Sequence, residues 1–313
     1  MFVLAPVRSF TSVVCAMLGQ HPQMYGLPET NLLCHATVGA KLQSVRRSSH
    51  RSTLHGLLRL VAELYFGAQT AHTVECAREW LRARAGLKTE DLFRTFAESV
   101  FPRVLVEKSP SNANRIECLR RMAAKFPDAR YIHLLRHPRG HGESVMKAIR
   151  HESARRSLPA EHWLLQVATY RATARSGAGR GADGELDPQH WWYARNRLIV
   201  EFLESIPPEQ QMRLRGEAVL SDGDQQLAAV AGWLGLRADA GAIAMMKHPE
   251  RSPFAFLGPR GAKYGNDEFF LRDPRFRPRE ALGHTLDGPL SWRPDGGEFA
   301  AEVKALATDL GYI

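Results

Sequence analysis

Residues 126–139 read FPDARYIHLLRHPR, and this stretch decides the fold. Its run over 130–135 follows a Pro-Asp turn and ends at Arg136, which is typical of a buried β-strand. Two further short apolar runs, at 2–5 and 104–106, also lead into polar residues. Because segments with helical periodicity separate these runs, we predict βαβ units and a parallel sheet.

The rest of the chain is predicted to be mostly helical. Helical patterns cover residues 11–18, 31–44, 54–66, 72–85, 89–100, 113–125, 141 into the 150s, 160–174, 191–205, 222–235 and 298–310. The other predicted features are loops over 20–30 and 136–140, a strand over 211–215 and a helix capping box at Ser221–Asp224. Residues 176–187 are rich in glycine, which predicts a flexible linker within a single domain of residues 1–313.

The composition is that of a globular protein, with 313 residues of which 44% are hydrophobic and 24% charged. Collagen, coiled coils and wholesale disorder are therefore excluded. The 42 basic residues exceed the 33 acidic ones, which gives a net charge of +9 and a pI near 9.6. This excess indicates an anionic partner and leaves open nucleic acid, a membrane surface or a phosphorylated small molecule.

Cysteine usage and the amino-terminal residues bear on the compartment. The four cysteines are scattered without a C-x-x-C pair, which argues against a zinc ribbon or a disulfide framework and fits a reducing compartment. Residues 1–18 have no basic n-region, and Pro6, Arg8 and Ser9 interrupt their apolar run. We expect a complete cytoplasmic protein with no signal peptide and no membrane span.

Cationic side chains follow three of the predicted strands. Arg8 lies in the loop after the first strand, Lys108 after the second and Arg136 after the third. Ligands of open α/β sheets bind at the carboxyl ends of the strands. The first and third loops also lead into helix N-termini, whose free N–H groups favour anions. The pattern therefore predicts a site for a ligand with two separated phosphates.

Two other kinds of site are disfavoured. An ATP-binding P-loop needs G-x-x-x-x-G-K-[ST], and the loop over 6–12 has no Gly-Lys pair. His137 and His141 have the i, i+4 spacing of helical metal ligands, but we expect a loop there and find no third ligand. We therefore predict no bound metal.

The same residues resemble the motifs of the sulfotransferases that use 3′-phosphoadenosine 5′-phosphosulfate (PAPS). Arg8-Ser9-Phe10-Thr11-Ser12 resembles the 5′-phosphosulfate loop, usually R-S-G-T-T or K-S-G-T-T. Residues 126–139 with Ser144 resemble the 3′-phosphate motif, and Lys108 stands in a segment similar to the family's K-x-P. Residues 19–29 are similar to the segment of tyrosylprotein-type enzymes that carries the catalytic Glu, here Glu29, 21 residues after Arg8.

The resemblance implies a P-loop-like three-layer α/β/α fold with a central, mostly parallel sheet. It also implies in-line transfer of a sulfonate, with Glu29 as the general base and with Arg8 and Lys108 bracketing the transferring group. The residues that it assigns to the donor are Ser9, Phe10, Thr11 and Ser12 with Arg8 at the 5′ end, and Arg136 and Ser144 at the 3′-phosphate. A looser similarity of residues 258–265 to the family's Gly/basic loop adds Arg260 to that 3′ set.

Several alternatives remain open at this point. Phe10 stands where the family usually has Gly, which favours a binding module that keeps an adenosine bisphosphate site without turnover. Glu29 is also explained as the N-terminal acid of a helix. A nucleic-acid-binding protein is less well supported, because no basic stripe with aromatics is found. The acceptor is expected to be a small-molecule, lipid or carrier-bound hydroxyl, contacted by residues within 30–70 and 250–295.

Overall fold

A central parallel sheet organises the protein. The computed structural model describes residues 1–47, 51–153, 187–278, 280 and 283–313. The strands found there are β1 (Phe2–Leu4), β2 (Met24–Gly26), β3 (Val104–Val106), β4 (Tyr131–Leu135) and β5 (Gln211–Arg215). Parallel pairing joins β2 to β3 and joins β1, β4 and β5. A parallel bridge between Phe2 and Glu107 connects the two sets, which gives the order β2-β3-β1-β4-β5.

Helices cover both faces of the sheet. Phe2 and Leu4 of β1 pack into one apolar cluster, whereas Val3 between them packs into another. Because successive side chains of a strand point to opposite faces, two separate cores lie above and below the sheet. This arrangement confirms the predicted three-layer α/β/α fold. It leaves the carboxyl ends of the strands as the edge at which loops gather.

Ten of the 13 helices in the described residues correspond to predicted segments, whereas those at 216–221, 240–246 and 268–272 were not predicted. The helices are α1 (Thr11–Leu18), α2 (Val38–Arg47), α3 (His55–Phe66), α4 (Ala71–Arg82), α5 (Thr89–Val100), α6 (Ile116–Lys125), α7 (Pro138–Ser153), α8 (Pro188–Leu203), α9 (Gly216–Ser221), α10 (Gly223–Trp233), α11 (Ala240–Met246), α12 (Glu268–Arg272) and α13 (Ala301–Asp309). Short 3-10 turns lie at Arg51–Leu54, Pro110–Asn114, Pro208–Gln210 and Pro249–Arg251. No helix in the described ranges is long and apolar enough to cross a membrane.

Two predictions between β1 and α3 were wrong. The expected loop over 20–30 contains β2, whose residues Met-Tyr-Gly do not form an apolar run. The helix expected over 31–44 begins at Val38 instead. Asn31 has a left-handed φ of 47°, and the Thr37 hydroxyl accepts a hydrogen bond from the Ala40 N–H at 3.1 Å, so the helix is capped from Thr37.

Two more predictions fail at helix N-termini. A loop was expected over 136–140, but α7 already starts at Pro138. Proline suits the first position of a helix, because its ring fixes φ near the helical value. Asp222 precedes α10 but its side chain makes no capping hydrogen bond, so the predicted capping box is absent. The predicted helix over 160–174 and residues 176–186 of the predicted linker lie outside the described residues.

Candidate active site

The loop between β1 and α1 has a left-handed backbone at two positions. Arg8 has a φ of 66° and Phe10 a φ of 61°, and Phe10 directly precedes the first residue of α1. Left-handed conformations cost a non-glycine residue roughly 1–2 kcal/mol. Successive N–H groups in such a turn form a concave anion-binding nest, which the N-terminus of α1 extends. The loop thus keeps the backbone shape that glycine would permit, although Phe10 replaces glycine.

The Phe10 ring has a structural role of its own. The guanidinium of Arg136, at the end of β4, lies 4.2 Å from the centre of this ring. The edge of the ring lies against Gly216, where an added Cβ would lie 2.3 Å from the ring's Cδ2 atom. Arg136 also donates a hydrogen bond to the carbonyl of Arg8 at 2.6 Å. Phe10 therefore orients Arg136 beside the loop over 6–12.

Arg8 connects this loop to two distant segments. Its Nε donates to the Ser144 hydroxyl of α7 at 3.1 Å. One terminal nitrogen forms an ion pair with Asp267, and the guanidinium lies 5.0 Å from the centre of the Phe269 ring. The structure therefore brings together Arg8, Arg136 and Ser144, as predicted, and adds Asp267, which sequence reasoning missed.

Lys108 lies between the loop over 6–12 and Glu29. Its ammonium is 2.5 Å from a carboxylate oxygen of Glu29 and 3.0 Å from the hydroxyl oxygen of Ser12. The Lys108 side chain is fully buried, whereas 24% of the Glu29 side chain is exposed. A buried lysine needs a charged or polar partner, and here the partner is the predicted base. The next helix after Glu29 starts only at Val38, so Glu29 is not the N-terminal acid of a helix.

Glu29 is also held through its backbone. Its N–H donates to the carbonyl of Gly265 at 2.6 Å. Its own carbonyl lies against Gly56 of α3, where an added Cβ would come within 2.1 Å of the carbonyl oxygen. Only glycine permits that approach. Two rigid contacts therefore position the segment that carries Glu29.

A buried carboxylate, missed by sequence reasoning, supports both segments. Glu107 accepts hydrogen bonds from the Ser109 N–H at 3.0 Å, from the Asn112 amide at 2.6 Å and from the Thr30 hydroxyl at 3.2 Å. Burial raises the pKa of Glu107, and the hydrogen bonds from Ser109 and Thr30 oppose that rise. Because Thr30 follows Glu29 and Ser109 follows Lys108, Glu107 fixes the two candidate catalytic residues relative to each other.

A cavity of about 480 Å³ opens beside this network. The residues that line it are Arg8, Phe10, Thr11, Ser12, Val13, Arg136, Glu143, Ser144, Lys147, Leu220, Asp267, Phe269, Phe270, Asp273, Arg275 and Arg277. Its volume is in the usual range for small-molecule sites. Cationic side chains outnumber carboxylates in this lining, which suits a polyanionic ligand.

The cavity contains cations that sequence reasoning missed. Lys147 comes from α7, and Arg275 and Arg277 come from the segment after α12. Both arginines pair with Asp273. The basic composition of 250–295 was the available signal, but nothing in the sequence places that segment beside the loop over 6–12.

Two predicted donor residues lie apart from the cavity lining. Ser9 is fully buried, and its hydroxyl has no hydrogen-bond partner among the described residues. Arg260 is exposed, and the adjacent Gly261 lies against α4, near Val74 and Glu75. The structure thus gathers the other predicted residues at the sheet edge but places Arg260 elsewhere.

The two histidines considered as metal ligands have other contacts. His141 Nε2 is 3.1 Å from the Val7 carbonyl oxygen, and burial lowers the pKa of His141 to about 3. The His137 ring stacks on His284 with the ring centres 5.3 Å apart. The described residues contain no group of three side chains that could hold a metal ion.

Comparisons with known proteins identify the family and the fold of the chain. A family model described as the sulfotransferase family matches residues 1–240. The sulfotransferase domain from the curacin biosynthetic pathway is similar in structure, with a TM-score of 0.74 at 21% identity, over 100% of this chain and 97% of that one. The sulfotransferase domain from the Synechococcus PCC 7002 olefin synthase has a TM-score of 0.71 at 22% identity, over 100% of this chain and 94% of that one. A search of curated protein sequences gives no significant match. The family match over residues 1–240, together with the shared fold, shows that this chain belongs to the sulfotransferase family.

Proposed function

We propose that the protein transfers the sulfonate of PAPS to an acceptor hydroxyl. The observation that carries this proposal is the contact of Lys108 with both Glu29 and Ser12 beside the Arg8 loop. A base, a buried ammonium and an anion-binding loop are thereby joined by direct hydrogen bonds. This combination supports an enzyme over a binding module, which has no need of a base next to the anion site.

The donor would occupy the cationic cavity. The nest of the loop over 6–12 and the N-terminus of α1 are suited to the 5′-phosphosulfate. Arg136 and Ser144 are suited to the 3′-phosphate, with Arg275 and Arg277 as further cations in the same cavity. The Phe269 ring in the lining offers an aromatic surface for the adenine base. Every part of a 3′,5′-bisphosphorylated nucleoside thus has a complementary group in the lining.

Transfer then proceeds as an in-line displacement. Glu29 takes the proton of the acceptor hydroxyl, and the acceptor oxygen bonds to sulfur as the bond from sulfur to the 5′-phosphate oxygen breaks. Lys108 and Arg8 stabilise the charge that develops on the sulfonate and on the leaving phosphate. The Lys108 ammonium is buried and held by Glu29 and Ser12, so its position is fixed before the ligands bind.

The acceptor is proposed to be a small-molecule, lipid or carrier-bound hydroxyl. Two structural neighbours are sulfotransferase domains of a biosynthetic pathway and of an olefin synthase. The exposed part of the Glu29 side chain would face the acceptor. We also propose a single catalytic domain over 1–313, since Asp267 completes a site built from residues 8–144.

The experiment is a turnover assay that follows release of adenosine 3′,5′-bisphosphate from PAPS. The acceptors are a panel of short alcohols, a fatty alcohol and a pantetheine-linked 3-hydroxyacyl thioester. We expect turnover with one class, a loss of roughly 10²–10⁴-fold in Glu29→Gln, and unchanged binding of the bisphosphate in that variant. The control is Glu79→Gln on the exposed surface of α4, which should behave as the wild type. Full activity of Glu29→Gln would remove Glu29 as the base.

A further inference from the structure

Two cysteines far apart in the sequence meet beside the candidate active site. The sulfur atoms of Cys34 and Cys118, 84 residues apart, lie 2.6 Å from each other. Both are free thiols in the structure. This separation is shorter than a contact between non-bonded sulfurs and close to the roughly 2.05 Å of a disulfide bond. The pair is not predictable from the sequence, because the two cysteines form no local motif.

The pair joins the two segments that carry the candidate catalytic residues. Cys34 lies five residues after Glu29, and Cys118 lies in the first turn of α6, ten residues after Lys108. These segments already share the hydrogen bond from the Asn31 N–H to the Ser109 hydroxyl at 2.8 Å. A covalent bond between the sulfurs would add a further link to segments already held together, so it requires no rearrangement of Glu29 or Lys108.

The two thiols differ in exposure to solvent and in pKa. Cys34 is partly exposed, and its thiol donates a hydrogen bond to the Ser111 carbonyl at 3.0 Å. The hydrogen bond with Cys118 lowers the pKa of Cys34, whereas the pKa of the buried Cys118 is raised. The positive charge of Arg115 lowers the pKa of both thiols, whereas the negative charge of Glu107 raises the pKa of Cys34. Because Cys34 is partly exposed and Cys118 is buried, a disulfide in solution reaches Cys34 first, so Cys34 is the attacking thiol and Cys118 the resolving one.

We propose that Cys34 and Cys118 are a redox-active pair that forms a reversible intramolecular disulfide with a low-molecular-weight disulfide such as oxidised glutathione. The Cys34 thiolate attacks glutathione disulfide and releases one glutathione. The Cys118 thiol then displaces the second glutathione, so two thiols of the protein are oxidised and one glutathione disulfide is reduced to two thiols. The bond stabilises the fold around Glu29 and Lys108 and preserves the site's geometry.

The test uses the whole protein incubated with glutathione redox buffers, followed by intact-mass analysis and peptide mapping. We expect a mass loss of about 2 Da, a cross-linked peptide that joins Cys34 to Cys118, and a melting temperature higher by roughly 5 °C. Dithiothreitol should reverse all three changes. The matched control Cys76→Ser should behave as the wild type, because the Cys76 thiol lies near His72 on α4 and not near the pair.

Other outcomes would overturn the inference. A stable glutathione adduct without the cross-link would show that the two sulfurs cannot approach, and an unchanged mass would show that Cys34 is not reactive. Cys34→Ser and Cys118→Ser should each abolish the melting shift, and peptide mapping of the wild type decides the question should either variant fail to fold. None of these measurements depends on sulfotransferase activity, so their failure is separate from failure of the proposed function.

Discussion

The ion pair of Arg8 with Asp267 makes a specific prediction about donor binding. If Arg8 binds the sulfonate or the 5′-phosphate, the Asp267 carboxylate must give up this contact, and its charge opposes an anionic ligand. Asp267→Asn removes the charge but keeps the local structure. The side-chain oxygen that accepts hydrogen bonds from the N–H groups of Phe269 and Phe270, at 3.1 and 3.3 Å, is retained.

The size of the effect follows from the geometry of this pair. A hydrogen bond to a charged group contributes about 1.5–3 kcal/mol. The Arg8 and Asp267 side chains are 13% and 23% exposed, so solvent screening favours the lower end of that range. About 1.5 kcal/mol corresponds to roughly tenfold in a dissociation constant. Asp267→Asn should therefore bind adenosine 3′,5′-bisphosphate about ten times more tightly than the wild type.

Isothermal titration calorimetry with this bisphosphate measures the change directly. Arg8→Ala should bind weakly, and adding Asp267→Asn to it should give a gain well below tenfold, because only the repulsion between the carboxylate and the anionic ligand is then removed. Equal or weaker binding by Asp267→Asn alone would refute the reasoning. It would mean that Arg8 keeps Asp267 as its partner when the ligand is bound.

Two further predictions concern stability. Gly216→Ala should lower the free energy of unfolding by about 1–3 kcal/mol, because its Cβ would overlap the Phe10 ring. Gly232→Ala in α10, with nothing within 4 Å of the added Cβ, should raise the free energy of unfolding by up to about 1 kcal/mol. Urea denaturation measures both changes, and equal effects of the two substitutions would contradict the packing of Phe10 on Gly216. Burial lowers the pKa of His133 to about 4 and that of His141 to about 3. Below the ordinary histidine pKa near 6.5, the unfolded chain therefore binds more protons than the folded protein. The contribution of these two histidines to stability should be present in full above pH 6.5 and fall as the pH drops towards 4, by about 1.4 kcal/mol per pH unit for each histidine. A flat profile, or the same slope in His133→Gln, would contradict this.

The sequence predicted the sheet and most helices because their patterns are local. The apolar runs of β1, β3 and β4 and the periodicity of α3 to α6 depend on neighbouring residues alone. β2 was missed because its residues, Met-Tyr-Gly, form no apolar run, unlike those of the equally short β1 and β3. The start of α2 was missed because it depends on the left-handed Asn31 and the capping by Thr37.

The residues of the candidate site were likewise predictable only in part from the sequence. Arg8, Lys108 and Arg136 were predictable because each follows a strand, and the ends of parallel strands converge. Asp267 was not predictable, because it reaches the site from a segment of 250–295 whose path depends on tertiary packing. The pairing of Cys34 with Cys118 was missed for the same reason, since nothing local to either residue indicates a partner 84 residues away.

The measurement that tests the central claim most directly is a thermal-shift titration with adenosine 3′,5′-bisphosphate, with ATP and 5′-AMP as controls. A ligand at about 100 times its dissociation constant adds roughly 2.7 kcal/mol of stability, which is a rise of several degrees. We predict this rise for the 3′-phosphorylated nucleotide alone, its loss in Arg136→Ala and its retention in Arg260→Ala, since Arg260 does not line the cavity. An equal rise with ATP, or no rise at all, would contradict the assignment of the cavity to the sulfonate donor.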